Sequence, residues 1–131
     1  LAEIIINEKW NIDYIVPIPI SKGHARKRGY NQSMVLSRPL SYLLDIPIDN
    51  RSVIRVKETS SQVTLSRDER FTNLKYAFRT VSDKLIGKRV LIVDDITTTG
   101  ATLISCSETL KDSGCSEVYC LTVAKTITDH R

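Results

Sequence analysis

Residues 90–104 read VLIVDDITTTGATLI. The opening VLIVD is almost continuously apolar, with none of the alternation of a half-solvated strand, so it predicts a strand buried on both faces. In the stretch that follows, ATLISCSETLKDSG, Leu103, Cys106 and Leu110 recur at helical spacing and Gly114 makes a stop signal. EVYCLTVAK (117–125) then predicts a final strand. Strand, helix and strand in that order form a β-α-β unit, the building block of a parallel sheet with helices on its faces.

The chemistry sits at the strand's end. In open α/β sheets, ligands bind beyond the carboxyl ends of parallel strands. Asp94 and Asp95 are predicted there, and Thr97, Thr98, Thr99, Gly100, Ala101 and Thr102 form the turn into the helix. A helix N-terminus presents backbone N–H groups and the positive end of a dipole, which suit a phosphate. Gly100 lets the backbone come close, and the threonine hydroxyls add donors. The two carboxylates would repel a phosphate but accept hydrogen bonds from vicinal sugar hydroxyls, or help organise a hydrated Mg2+. Together these groups suit a sugar phosphate.

Outward from this unit, YIVPIPI (14–20) predicts a strand that ends near its prolines. SKGHARKRG follows as a polar loop in which Lys22, His24, Arg26, Lys27 and Arg28 cluster, which favours an anionic partner over an ordinary solvated loop only when joined to other evidence. The next segment carries Met34, Val35, Leu40, Leu43 and Leu44 at roughly helical spacing, with a kink or break expected at Pro39. SVIRV (52–56) and YAFRTV (76–81) predict a hairpin-like pair of strands around a long polar loop, residues 57–75.

The 131-residue chain has the length of one domain, taken as residues 1–131, and a net charge of +4. At 41% hydrophobic and 26% charged it has an ordinary soluble composition. It has no apolar run near the roughly 18 residues a membrane helix needs, and the opening LAEIIINEKW is too polar to be expected to act as a secretory signal. Cys106, Cys115 and Cys120 form no C-x-x-C pair and, with two histidines, no zinc spacing; free thiols in a reducing cytoplasm are expected.

Two familiar uses of a VLIVDD strand do not fit. A receiver domain needs a phosphorylatable Asp on a later strand and then a Lys, whereas Asp112 falls in the predicted helix. A Walker P-loop needs G-x-x-x-x-G-K-[ST], which is absent. VLIVDDITTTGAT instead resembles the phosphoribosyl-pyrophosphate (PRPP) motif of type I phosphoribosyltransferases. IVPIPISKGHARKRGYNQS (15–33) is similar to the signature of the competence-protein F branch of that family. Gln62, Arg70, Asn73, Ala77–Phe78 and the closing LTVAKT follow in the same order, so the resemblance covers about residues 13–126.

The resemblance implies a mostly parallel central sheet flanked by helices, with a flexible hood over residues 57–75. It implies that Asp94 and Asp95 contact the ribose hydroxyls and that residues Thr97 to Thr102 hold the 5′-phosphate. Ser21, Lys22, Arg26, Arg28 and Gly29 would meet the pyrophosphate, Arg28 with a catalytic share, and Arg67 and Arg70 would reach it from the hood. Asn31 and Gln32 are weaker candidates, and helix capping accounts for Asn31 equally well. Mg2+ would arrive with PRPP. The acceptor is not implied: purine-salvage relatives carry an acid where Thr98 stands. A sensor, or an accessory module with a single-stranded DNA track along residues 22–28, stays open beside the enzyme, as does a homodimer. The branch usually begins with a cysteine-rich zinc ribbon, so an N-terminal truncation is expected.

Overall fold

The computed structural model describes residues 10–20, 31–56, 77–97 and 100–125. Three strands form the main sheet in the order β1 (Tyr14–Pro17), β4 (Arg89–Thr97), β5 (Glu117–Lys125). Both pairings are parallel, with Val16 opposite Ile92 and Ile92 opposite Cys120. The central strand is β4, and Val90, Leu91, Ile92 and Val93 are all fully buried. Alternation sends them to opposite faces. Val90 and Ile92 join a cluster with Leu103, Cys106 and Leu110 of helix α2 (Ala101–Asp112), while Leu91 and Val93 join Ile15, Leu121 and Leu40 of helix α1 (Gln32–Leu44). Burial on both faces is why this strand reads as an unbroken apolar run. The expected parallel sheet with flanking helices is the observed fold.

A separate antiparallel pair, β2 (Val53–Arg55) and β3 (Phe78–Thr80), packs over the α2 face through Val53, Ala77 and Phe78. These strands are shorter than expected, and the hood loop 57–75 lies outside the described residues. A buried carboxylate fixes the entry to β2. Asp49 Oδ1 accepts the backbone N–H groups of Arg51 (3.0 Å) and Ser52 (2.8 Å), and its Oδ2 accepts the Ser52 hydroxyl at 2.6 Å. Burial works to raise the Asp49 pKa, but these donors and the Lys84 charge outweigh it and hold the carboxyl below its usual range.

Helix α1 differs from expectation at one point. It runs through Pro39 without a break. The proline removes the N–H that would reach the Val35 carbonyl. Val35 is 45% exposed and Pro39 is exposed, so that carbonyl lies on the solvent side, where water can take the bond. Val35 and Leu43 point outward, and the buried residues are Ser33, Ser37 and Leu40. Small side chains let the helix approach the sheet closely, and the Ser37 hydroxyl is satisfied by donating to the Ser33 carbonyl at 2.7 Å.

The tight contact at Ser37 yields a test. Ser37→Leu should overpack the helix–sheet contact and lower unfolding stability in urea by about 1–3 kcal/mol. Ser37→Ala should cost less than about 1 kcal/mol, since the lost hydrogen bond is local. Equal losses in both variants would show that the hydroxyl, not the close approach, matters at this position.

Candidate functional site

The two acids lie near the carboxyl end of β4: the strand continues to Thr97, and Asp94 is in register with Thr122 of β5. Asp94 is 8% exposed, while Asp95 is half-buried. Asp94 Oδ1 accepts the N–H of Asp95 at 2.9 Å and is approached by the Ser33 hydroxyl at a long 3.5 Å. These contacts do not offset the loss of solvent. Burial, followed by the adjacent Asp95 carboxyl, pushes the Asp94 pKa up from 3.8 to about 6. A carboxylate in this condition is stabilised by any hydroxyl donor or cation brought to it.

Ser33 reaches the acid because the start of α1 is anchored. Asn31 caps the helix by accepting the Ser33 N–H at 2.9 Å, and its amide donates to the Ile18 carbonyl at 2.9 Å, just after β1. The capping role considered for Asn31 is therefore the observed one. Gln32 is the first residue of the helix and half-buried.

Sequence reasoning missed Arg55 at the end of β2. Its guanidinium lies 5.3 Å from the centre of the Phe78 ring. Burial depresses its pKa, and the negative charge of Asp94 works in the opposite direction. Arg55 also lines a cleft of ≈ 320 Å3 with Pro17, Pro19, Asn31, Met34 and Asn50. The available signal was an arginine inside an otherwise apolar strand, which is costly to bury without a charge to meet.

Beyond the acids, Gly100 caps α2 with φ 78° and ψ 2°, a left-handed conformation that other residues adopt at a cost of about 1–2 kcal/mol. A side chain there would meet nothing closer than Ile104 Cδ1 at 4.0 Å, so conformation, not crowding, selects glycine. Ala101 is buried and Thr102 half-buried at the first turn of α2. The N-terminal end of the α2 dipole thus lies three residues past the end of β4. For Thr97 only the backbone is described. Thr98, Thr99, Ser21, Lys22, Arg26, Arg28, Gly29, Arg67 and Arg70 lie outside the described residues.

Among the described residues no three His, Cys, Asp or Glu side chains gather as a metal cage. The Asp94–Asp95 pair nonetheless offers hard oxygen donors, one of them short of solvation. That suits a Mg2+ ion that keeps most of its ligands from water and substrate phosphates.

Comparison with known proteins bears on the arrangement. The family model for the phosphoribosyl transferase domain matches residues 1–130. Competence protein F of Haemophilus influenzae is 43% identical over 106 residues, which are 79% of this chain and 46% of that protein. DNA utilization protein YhgH of Escherichia coli is 38% identical over 111 residues, 83% of this chain and 48% of that protein. This chain thus spans about half the length of these relatives. Among solved structures, a purine phosphoribosyltransferase from Pyrococcus horikoshii superposes with a TM-score of 0.60 at 26% identity, covering 95% of this chain and 68% of its own.

The raised Asp94 pKa has a consequence for stability. Folding favours the protonated form, so stability is highest below 3.8 and declines as pH rises towards about 6. Asp94→Asn removes this term. The variant should be more stable than the parent by about 1–3 kcal/mol at pH 7.5 and equal to it near pH 4. Urea denaturation at both pH values measures the difference; a pH-independent gap would mean Asp94 titrates normally.

Proposed function

This chain belongs to the phosphoribosyl transferase domain family, and from that premise we propose that it binds PRPP across the carboxyl end of β4 and transfers its phosphoribosyl group. The observation that carries this reading is the buried Asp94 beside the half-buried Asp95, with the glycine-capped N-terminus of α2 as the next element in the chain. Asp94 and Asp95 accept the ribose hydroxyls, and the segment Thr97–Thr102 receives the 5′-phosphate. Ser21, Lys22, Arg26, Arg28 and Gly29 hold the pyrophosphate, with Arg67 and Arg70 closing from the hood. Arg55 adds positive charge beside the acids.

In the transfer, the bond from ribose C1 to the pyrophosphate oxygen breaks and its electron pair leaves with pyrophosphate. A nucleophile then forms the new bond to C1. The protein's share is electrostatic: basic side chains steady the charge that builds on the leaving group, while the acids fix the sugar. Bound Mg2+, held by the diphosphate with help from Asp94 and Asp95, would supply further charge neutralisation. A zwitterionic division of labour, cations on the phosphates and carboxylates on the hydroxyls, keeps each group next to its opposite.

The names of two relatives support a second reading. They refer to competence and DNA utilization, and the basic segment 22–28 suits a single-stranded DNA track. On that reading the fold senses PRPP or serves DNA processing without turnover.

Phosphorus NMR separates the two. With PRPP, Mg2+ and a pool of nucleobases, pyrophosphate should appear faster than in a protein-free control. Shifted PRPP signals without turnover would favour the sensor, and no change in the PRPP signals would refute the site. Asp94→Asn and Asp95→Asn should each weaken PRPP binding about tenfold or more, because a charge-assisted hydrogen bond is lost. Affinity of the parent should strengthen as pH rises through about 6, where Asp94 ionises to accept the hydroxyls.

A further inference from the structure

The cleft of ≈ 320 Å3 opens beside the acid pair, between the end of β1, the start of α1 and β2. Three links place it there. Pro17, which lines it, is in register with Val93, the residue before Asp94. Asn31, which also lines it, donates to the Ile18 carbonyl, and Ser33 two residues later approaches Asp94 at 3.5 Å. Arg55, from β2, lies within reach of the Asp94 charge. The volume is at the small end of the roughly 300–1,000 Å3 of ligand pockets, which suits a small ring compound.

The lining sets the sign and shape of what fits. Pro17, Pro19 and Met34 give apolar sides, and the exposed Asn50 carries an amide that both donates and accepts. Among the described residues that line the cleft, Arg55 alone carries a charge. Phe78 flanks the guanidinium, 5.3 Å from Arg55 Cζ to the ring centre. Guanidinium groups meet carboxylates edge-on, through two parallel N–H bonds. Arg55 is half-buried, so less water screens it from an anion than at an open surface. A second cleft, of ≈ 430 Å3, lacks this bias. Asp49, Arg51 and Lys84 give it both signs, and the Asp49 carboxylate already has its donors.

Resting on the phosphoribosyl-transfer reading, we propose that this cleft is the acceptor subsite and that the acceptor is a small heteroaromatic carboxylate, its ring against Pro17, Pro19 and Met34 and its carboxylate on Arg55. The nucleophile is a ring nitrogen with an in-plane lone pair. That pair forms the bond to ribose C1 while the C1–O bond breaks and its electrons leave with pyrophosphate. The nitrogen becomes cationic and no proton has to be removed. This agrees with a lining that holds no acid and no imidazole among the described residues. The carboxylate offsets the charge formed on the ring.

The sequence contains one methionine, Met34, so a 13C-labelled methionine methyl gives a single NMR resonance on the cleft. Nicotinate and nicotinamide are the probes, alike in ring and size and different in charge, titrated first without PRPP. Nicotinate should shift the Met34 methyl and bind about tenfold or more tighter than the amide. Arg55→Gln should lose that preference and Arg55→Lys should keep part of it, with circular dichroism to verify folding. The contrast between acid and amide in the parent needs no variant. Equal affinities, an unmoved methyl or a preference that survives Arg55→Gln overturns the site. With PRPP and Mg2+ added, at least one of the isomeric pyridine carboxylates should speed pyrophosphate release, and release by none overturns the acceptor role. An Arg55-dependent carboxylate site in a protein that does not bind PRPP refutes the transfer reading and upholds the site. PRPP binding with an empty cleft refutes the site alone.

Discussion

The interaction on which the site depends is the poorly compensated burial of the Asp94 carboxylate. It is 8% exposed, beside a second carboxyl, and among the described residues it has one good hydrogen bond and one long one. Burying a charge is costly unless hydrogen bonds replace the lost water. Asp49, also low in exposure, shows the alternative: three short donors and the Lys84 charge hold its pKa down. Two buried aspartates in one small fold therefore have opposite shifts. The one with its donors built in is structural, and the one short of donors is prepared to take them from elsewhere.

The architecture makes that burial unavoidable. Asp94 follows four fully buried residues in the middle strand of the sheet, where α1 and α2 close both faces. Ser33 and Ser37 hold α1 close to the sheet, and larger residues there would lift the helix and let water reach the acid. Arg55, carried in by the β2–β3 pair, adds positive charge that is itself desolvated. A fully matched buried pair would gain little over the cost of desolvating both ions. Asp94, with its pKa raised, keeps acceptor capacity at the carboxyl end of β4.

Legibility in the sequence followed the reach of the interactions. The strand–helix–strand unit was plain because its signals are local: β5 spans the residues expected, and α2 begins at Ala101 after the expected glycine. The acid pair was equally plain, since two adjacent aspartates after an apolar run have little structural use. Ser33 and Arg55 were not, because their significance comes from contacts across the fold, between residues 33 and 94 in one case and a hairpin docking over α2 in the other. The inner face of α1 was not legible for a related reason. Apolar spacing marked a helix without fixing its inner face, and close approach to the sheet selected serines there. Pro39 marked no break because only one solvent-side carbonyl lost its donor.

Ionisation of Asp94 ties ligand binding to stability. Near neutral pH, above its value of about 6, the group is mostly charged, and the fold bears the cost of a carboxylate it would rather protonate. A ligand whose hydroxyls donate to Asp94 lowers that cost and shifts the pKa back down. By linkage the same free energy appears as tighter binding of the ionised protein and as greater stability of the bound fold. A sugar with vicinal hydroxyls meets this condition, whereas a bare phosphate beside two carboxylates adds repulsion. On the proposed reading the acid pair would select the hydroxyl-bearing part of a sugar phosphate, and phosphate recognition would fall to the N-terminus of α2 and the basic segments of the sequence.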